Sequence, residues 1–187
     1  MGFLDSILGT TKLPESKTEK LFAISTAEVT LETKFNLKPD GAAAVCIKPV
    51  ESSRYETARS EIEGLLNISS KETKTEYHVQ KDSYNYLWVV LRDPDFDDLV
   101  ATVQMVSSTL IEEGFGTQLL AAVYRFKGNT TVYWIYSFKG GAYYPFVPSG
   151  PSQRDNAFEL RLKMVMEIEL LMVKDLTRWY PLWGMPI

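Results

Sequence analysis

A chain of 187 residues with 45% hydrophobic and 24% charged side chains has the make-up of a globular protein about one domain in size, with enough apolar surface to bury a core. A net charge of −4 without any lysine or arginine run excludes nucleic acid as a main partner, and no apolar stretch approaches the roughly 18 residues that would cross a bilayer. One histidine, His78, and one cysteine, Cys46, leave most side-chain catalytic and metal constellations unbuildable and exclude an internal disulfide framework.

No apolar run with a cleavage site follows Met1, so the expected location is the cytoplasm. The first 17 residues read as an arm and linker, with Phe3, Leu4, Ile7 and Leu8 on one face of two helical turns ahead of Pro14. An isolated helix that short does not hold in water, so if the arm folds at all it must dock on its own domain, a dimer mate, a partner groove or a membrane surface. It lacks the lysine-rich polar face of interfacial helices, which favours protein packing. Met1-Gly2-Phe3-Leu4-Asp5-Ser6 fits the myristoylation pattern, a short match read as accidental.

Ser25-Thr26-Ala27-Glu28 reads as a capping box opening a helix with Ala27, Leu31 and Phe35 on one face, ended by a turn over Leu37-Lys38-Pro39-Asp40-Gly41. Ala42 to Lys48 is an uncharged run between glycine and proline, the pattern of a buried strand, with Cys46 inside as a small hydrophobe. Ser53-Arg54-Tyr55-Glu56 predicts a second capped helix with an apolar stripe of Tyr55, Ala58, Ile62, Leu65 and Leu66. Thr73 to Gln80 and Tyr84 to Leu91 read as strands joined at Lys81-Asp82-Ser83.

Asp93 reads as the N-cap and Pro94 as the first position of the next helix, with Asp95, Asp97 and Asp98 opposing the positive end of its dipole. The same aspartates imitate the start of a calcium loop, but Asp98 stands where that loop needs glycine and Gln104 where it needs glutamate. Phe96, Leu99, Val100, Val103, Val106 and Leu110 then follow the i, i+3, i+4 spacing of a one-sided core helix that stops at Gly114. Thr117 to Lys127 and Thr131 to Lys139 predict a hairpin through Gly128-Asn129, and Ala142 to Pro148 an extension of the sheet. A last helix runs from Asp155 or Asn156 to about Met172, with Glu159, Lys163 and Glu167 as a polar i, i+4 stripe. These elements fill one domain over residues 18–174. The remaining 175–187 form a tail whose Trp179, Tyr180 and Trp183 are too apolar for solvent, so it docks back or anchors a partner.

Met1 to Gly9, Asp82-Ser83-Tyr84 through Trp88-Val89-Val90, Asp93 to Val100, Gly114-Phe115-Gly116, Tyr144-Pro145-Phe146, Arg154-Asp155-Asn156-Ala157 and Trp179 to Gly184 together resemble the PspA-associated protein family PspAB. The resemblance spans nearly the whole chain. It implies a small bacterial or archaeal cytoplasmic accessory protein of the phage-shock response, partnered with PspA or with an HtpX-type membrane zinc protease, and it brings no catalytic residues. The element order across residues 53 to 171 is also similar to the type III secretion chaperone-like fold, including YbjN-type domains, which implies an α+β, mainly antiparallel sheet packed by helices and a tendency to dimerise. The added helix and the Ala42 to Lys48 strand depart from that pattern and leave the strand order open.

The leading expectation is a non-enzymatic adaptor or chaperone-like interaction protein of an envelope-stress system, without a cofactor, contacting its partner through Phe3, Leu4, Ile7, Leu8, Trp179, Tyr180 and Trp183. The rival is a metal-assisted hydrolase or ligand-binding enzyme using Asp93, Asp95, Tyr84 or His78. A third reading is a binder lying on the inner face of the membrane.

Overall fold

The computed structural model describes residues 18–187, so the arm with Phe3, Leu4, Ile7 and Leu8 lies outside the described residues. Among the described residues, four α-helices and a six-stranded antiparallel sheet make an α+β fold. In chain order they are α1 (Ala23–Phe35), β1 (Lys38–Ile47), α2 (Ser53–Thr73), β2 (Glu76–Lys81), β3 (Leu87–Arg92), α3 (Phe96–Glu112), β4 (Leu119–Lys127), β5 (Thr131–Ser137), β6 (Ala142–Phe146) and α4 (Asn156–Met166). Between β6 and α4, β7 (Pro148–Gly150) and β8 (Gln153–Arg154) form a separate two-stranded ribbon.

The sheet order is β2-β3-β1-β4-β5-β6, which puts the early strand β1 at the centre. Ala42 to Ile47 are all buried, because helices cover one face of this strand and the other faces the interior under the C-terminal segment. That two-sided burial is why an uncharged run without alternation works here as a strand. At its entry the expected turn is replaced by strand: Pro39 and Gly41 belong to β1 at a bulge opposite β4. Gly41 has φ +59°, and a Cβ there would sit 3.1 Å from the Asp93 carbonyl oxygen, so the bulge needs glycine.

Cross-strand pairing sorts the side chains between two faces. Val89, Val45, Ala122, Tyr136 and Tyr143 lie in one row, and the neighbouring row contains Tyr124 and Trp134. This face packs under α1, α2 and α3, where Phe96 meets Tyr124 and Phe126 edge-on at 5.9 and 5.3 Å. The α3 spacing behaves as expected, with Phe96, Leu99, Val100, Val103, Val106 and Leu110 all buried. The opposite row runs Trp88, Cys46, Ala121, Ser137, and residues 175–187 cross this side of the sheet.

Several local expectations are corrected. α1 begins at Ala23, two residues before the supposed Ser25 box, and Phe22 makes no side-chain cap. A preceding 3-10 turn at Thr18–Lys20 feeds directly into it, and burial of Leu21 and Ile24 sets the start in place of a cap. Ser52, one residue before the expected Ser53, accepts the Tyr55 N–H and caps α2, which runs on to Thr73 so that β2 starts only at Glu76. Leu65 on α2 is half-buried and not part of the buried stripe. Asp95, not Asp93, caps α3 through the amides of Asp97 and Asp98. Asp93 is buried instead, accepting the Thr75 hydroxyl and the Asp95 N–H. β4 begins at Leu119, after a short 3-10 turn over Gly116–Gln118, and β5 ends at Ser137.

α4 stops at Met166, well short of Met172. Leu171 to Val173 run parallel to β6, with the Tyr143 N–H donating to the Leu171 carbonyl and the Val173 N–H to the Tyr143 carbonyl. Satisfying the outer edge of β6 outweighs another helical turn. Glu159 leaves the expected polar stripe as well: it is 2% exposed and turns inward, while Lys163 and Glu167 keep their i, i+4 pair.

Candidate functional site

The row Trp88, Cys46, Ala121, Ser137 is the floor of a cavity of about 530 Å³. Its middle is low because Cys46 and Ala121 are small, and Trp88 and Tyr144 rise beside them. One wall is the connection between β2 and β3, carrying Asp82, Tyr84 and Tyr86; the other is the tail segment from Tyr180 to Met185. A volume in the range of small-ligand sites, mostly apolar with a few polar groups, is the composition of a binding site.

The first wall is built on one carboxylate. Asp82 accepts the amides of Tyr84 and Tyr86 on one oxygen and the Trp88 indole N–H, at 2.8 Å, on the other. It therefore shapes the turn, with Asn85 in the left-handed region at φ 64°, and spends its acceptors doing so. That arrangement turns Tyr84 outward to 73% exposure and leaves Tyr86 partly exposed.

The tail wall is held by an arginine. Arg154, at the end of β8, donates from Nε to both Glu159 oxygens at 2.9 Å, pairs a second nitrogen with Oε2 at 2.8 Å, and donates its third to the Trp179 carbonyl at 2.6 Å. Its guanidinium also lies over the Phe146 ring at 5.4 Å. Glu159 takes the Val147 N–H in addition, so the buried acid ties the link after β6 to β8 and α4. Burial pushes its carboxyl above the ordinary range, against the opposing pull of Arg154 and the Val147 amide.

Trp179, 5% exposed, stacks on Tyr144 at 6.1 Å and donates its indole N–H to the Val173 carbonyl. The Tyr144 hydroxyl donates to the Tyr180 carbonyl, and Trp183 packs edge-on against Phe146 at 4.9 Å. Burial raises the Tyr144 phenol far above its usual value, which keeps it a donor. The tail thus docks back on the domain. Of its three candidate contact residues, Trp179 serves the core, Trp183 lines the cavity half-buried, and Tyr180 projects at its edge with 62% exposure.

The groups of the enzyme reading are scattered. His78 is exposed on the edge strand β2, Asp93 is buried with Thr75, Asp95 caps α3, and Tyr84 stands at the cavity lip. Among the described residues no three histidine, cysteine, aspartate or glutamate side chains converge as a metal cluster. Cys46 reaches the cavity floor, but burial, with a smaller push from Asp82, raises its thiol to about 12, so it stays protonated at neutral pH. No helix among the described residues is long and apolar enough to cross a membrane.

Asp82, Tyr86, Ser137 and Lys139 are functional candidates that sequence reasoning passed over. Their one signal was Asp82-Ser83-Tyr84 ahead of an aromatic strand, which marks a turn but not a cavity wall.

Comparison with known proteins supplies the remaining observation. The family model PspAB, PspA associated protein B, matches residues 1–187. No curated protein and no solved structure matches the chain.

Proposed function

Because the chain belongs to the PspA associated protein B family, we propose that it is a non-enzymatic adaptor of an envelope-stress system that binds a PspA-type protein at the cavity lip. The family name ties its members to PspA. The observation that carries the site is the ring of exposed tyrosines, Tyr84, Tyr86 and Tyr180, around an apolar cavity whose thiol stays protonated. Tyrosines of this kind supply large contact area with few rotatable bonds and dominate interface hot spots. The polar groups of the walls are engaged in holding the backbone, which leaves recognition by apolar and aromatic surface as the work of this face.

The test is a titration of a purified PspA-type protein from the same source by the full chain and by a Tyr84→Ser/Tyr180→Ser variant. Two lost hot spots weaken binding by more than a hundredfold, at about 2 kcal/mol each. Ile68→Ser, which removes an equally exposed apolar residue on α2, leaves affinity unchanged. Equal binding by all three proteins rejects the lip, and no binding by the wild type rejects the partner. Substituting an HtpX-type protease, a second copy of the chain or anionic vesicles in the same titration ranks the other partners.

A further inference from the structure

We propose that the cavity beneath the lip binds a single-chain carboxylate amphiphile of the fatty-acid type, with its alkyl chain along the sheet row and its head group at Lys139. This goes beyond the adaptor reading and does not depend on it.

The shape comes from the floor. Trp88, Cys46, Ala121 and Ser137 are successive partners across four neighbouring strands, β3, β1, β4 and β5. Three strand spacings put the backbones of Trp88 and Ser137 on the order of 14 Å apart, with the low part of the bed between them. Its centre is lined by a protonated thiol and a methyl group, and its sides by Leu182 and Trp183 of the tail. An apolar bed that runs across several strands, with the small Cys46 and Ala121 at its centre, suits an extended alkyl chain.

The head group follows from which polar atoms are left over. At the Trp88 end, Asp82 already accepts three N–H groups. At the β5 end, Lys139 lines the mouth and its ammonium has no carboxylate partner among the described residues. Ser137, next to it, accepts the Gly140 N–H on its hydroxyl oxygen, so the hydroxyl proton is free to be donated. The tail-side hydroxyl of Tyr144 is committed to the Tyr180 carbonyl. What remains at this end is a cation and a hydrogen-bond donor, the complement of an anionic oxygen group.

Asp82 would repel such a head only if the two were close. It sits at the Trp88 end of the row, while Lys139 follows β5 at the other, and its charge is partly offset by the three N–H groups that it accepts. The trough therefore has a polarity, with the methyl end toward Trp88 and the carboxylate toward Lys139.

The experiment is calorimetric titration of the full chain with sodium dodecanoate and with dodecylammonium chloride, both below their micelle concentrations. Wild type binds dodecanoate at least tenfold more tightly than dodecylammonium. Lys139→Glu, on an exposed turn that tolerates substitution, loses or reverses that preference. Ala121→Leu, which puts extra methyl groups on the bed of the trough, loses both ligands while Lys139→Glu still binds the cation. Absence of dodecanoate binding, equal affinity for the two heads, or a preference that survives Lys139→Glu each overturns the proposal.

Discussion

One face of the sheet lies under three helices, and its row from Val89 through Val45, Ala122 and Tyr136 to Tyr143 is sealed by side-chain packing. The other lies under residues 175–187, which contain only one short helical turn at Leu176–Arg178, and a trough of about 530 Å³ survives beneath them. A helix satisfies its own backbone and can offer a continuous apolar stripe, so it closes a face by area. An irregular strap must find partners for its carbonyls elsewhere, and here it finds them in the Arg154 guanidinium and the Tyr144 hydroxyl. The consequence is a division of labour: one face supplies stability through apolar burial, and the other supplies a site whose wall hangs on a few polar contacts.

The helix side gives the largest expected effect. Phe96→Ala removes the ring that wedges between α3 and the sheet, and destabilises by about 3–5 kcal/mol in denaturant unfolding. A loss below about 1 kcal/mol would show that the α3 side is not the stabilising face, and the comparison would fail. Chemical access to the strap side comes next. Because the Cys46 thiol is pushed up from 9.0 to about 12, its thiolate fraction at pH 8 is about a thousandfold smaller than in the unfolded chain. Alkylation by iodoacetamide is strongly slowed in the native protein, by the low thiolate fraction and by burial of the sulfur. Rapid labelling would mean that the strap opens and the trough floor meets water.

The third break is at the latch. Arg154→Met keeps an apolar side chain of similar reach but removes every contact of the guanidinium with Glu159, Trp179 and the Phe146 ring. Stranding a buried carboxylate costs about 3–5 kcal/mol in general; because Arg154 is 17% exposed, about 3 is expected. The change should also release the strap, read as a shift in tryptophan fluorescence from Trp179 and Trp183 before global unfolding. Loss of stability without that shift would make Arg154 a plain core residue and not the holder of the cavity wall.

How much of this could be read from the chain depended on how local the cause was. The α3 face was legible because one helix carries the whole pattern and the sheet simply receives it. The strand at Ala42 was legible as buried, but its central place was not, since that depends on pairing with β3 and β4, both later in the chain. Asp93 and Asp95 are equally good caps on local grounds, and the choice between them was made by Thr75, eighteen positions away, which claims the Asp93 carboxylate. The trough was invisible for the same reason. Its residues come from five strands, two connections and the tail, and none has a chemically unusual neighbour in sequence. The tail was recognised as needing cover, yet only backbone direction in space separates the inward Trp179 from the outward Tyr180.

The smallest effect tests whether the latch stabilises at all. Burial holds the Glu159 carboxyl above its ordinary 4.5, and the Arg154 and Val147 contacts only partly offset that cost. A carboxyl whose folded value is raised takes up its proton earlier in the native state than in the unfolded one. Its contribution is therefore fully present below about pH 4.5 and is lost as pH rises through the folded value. Measured against Glu159→Gln, which cannot titrate, wild type should gain by about 1 kcal/mol or less as pH falls from 7 toward 5. In the Arg154→Met background the same comparison steepens, because the offsetting cation is gone and protonation relieves a stranded charge. The opposite slope in wild type, a loss on acidification, would mean that the ion pair outweighs its desolvation. The strap would then be fastened by net attraction, where the structure makes it a specific but costly contact.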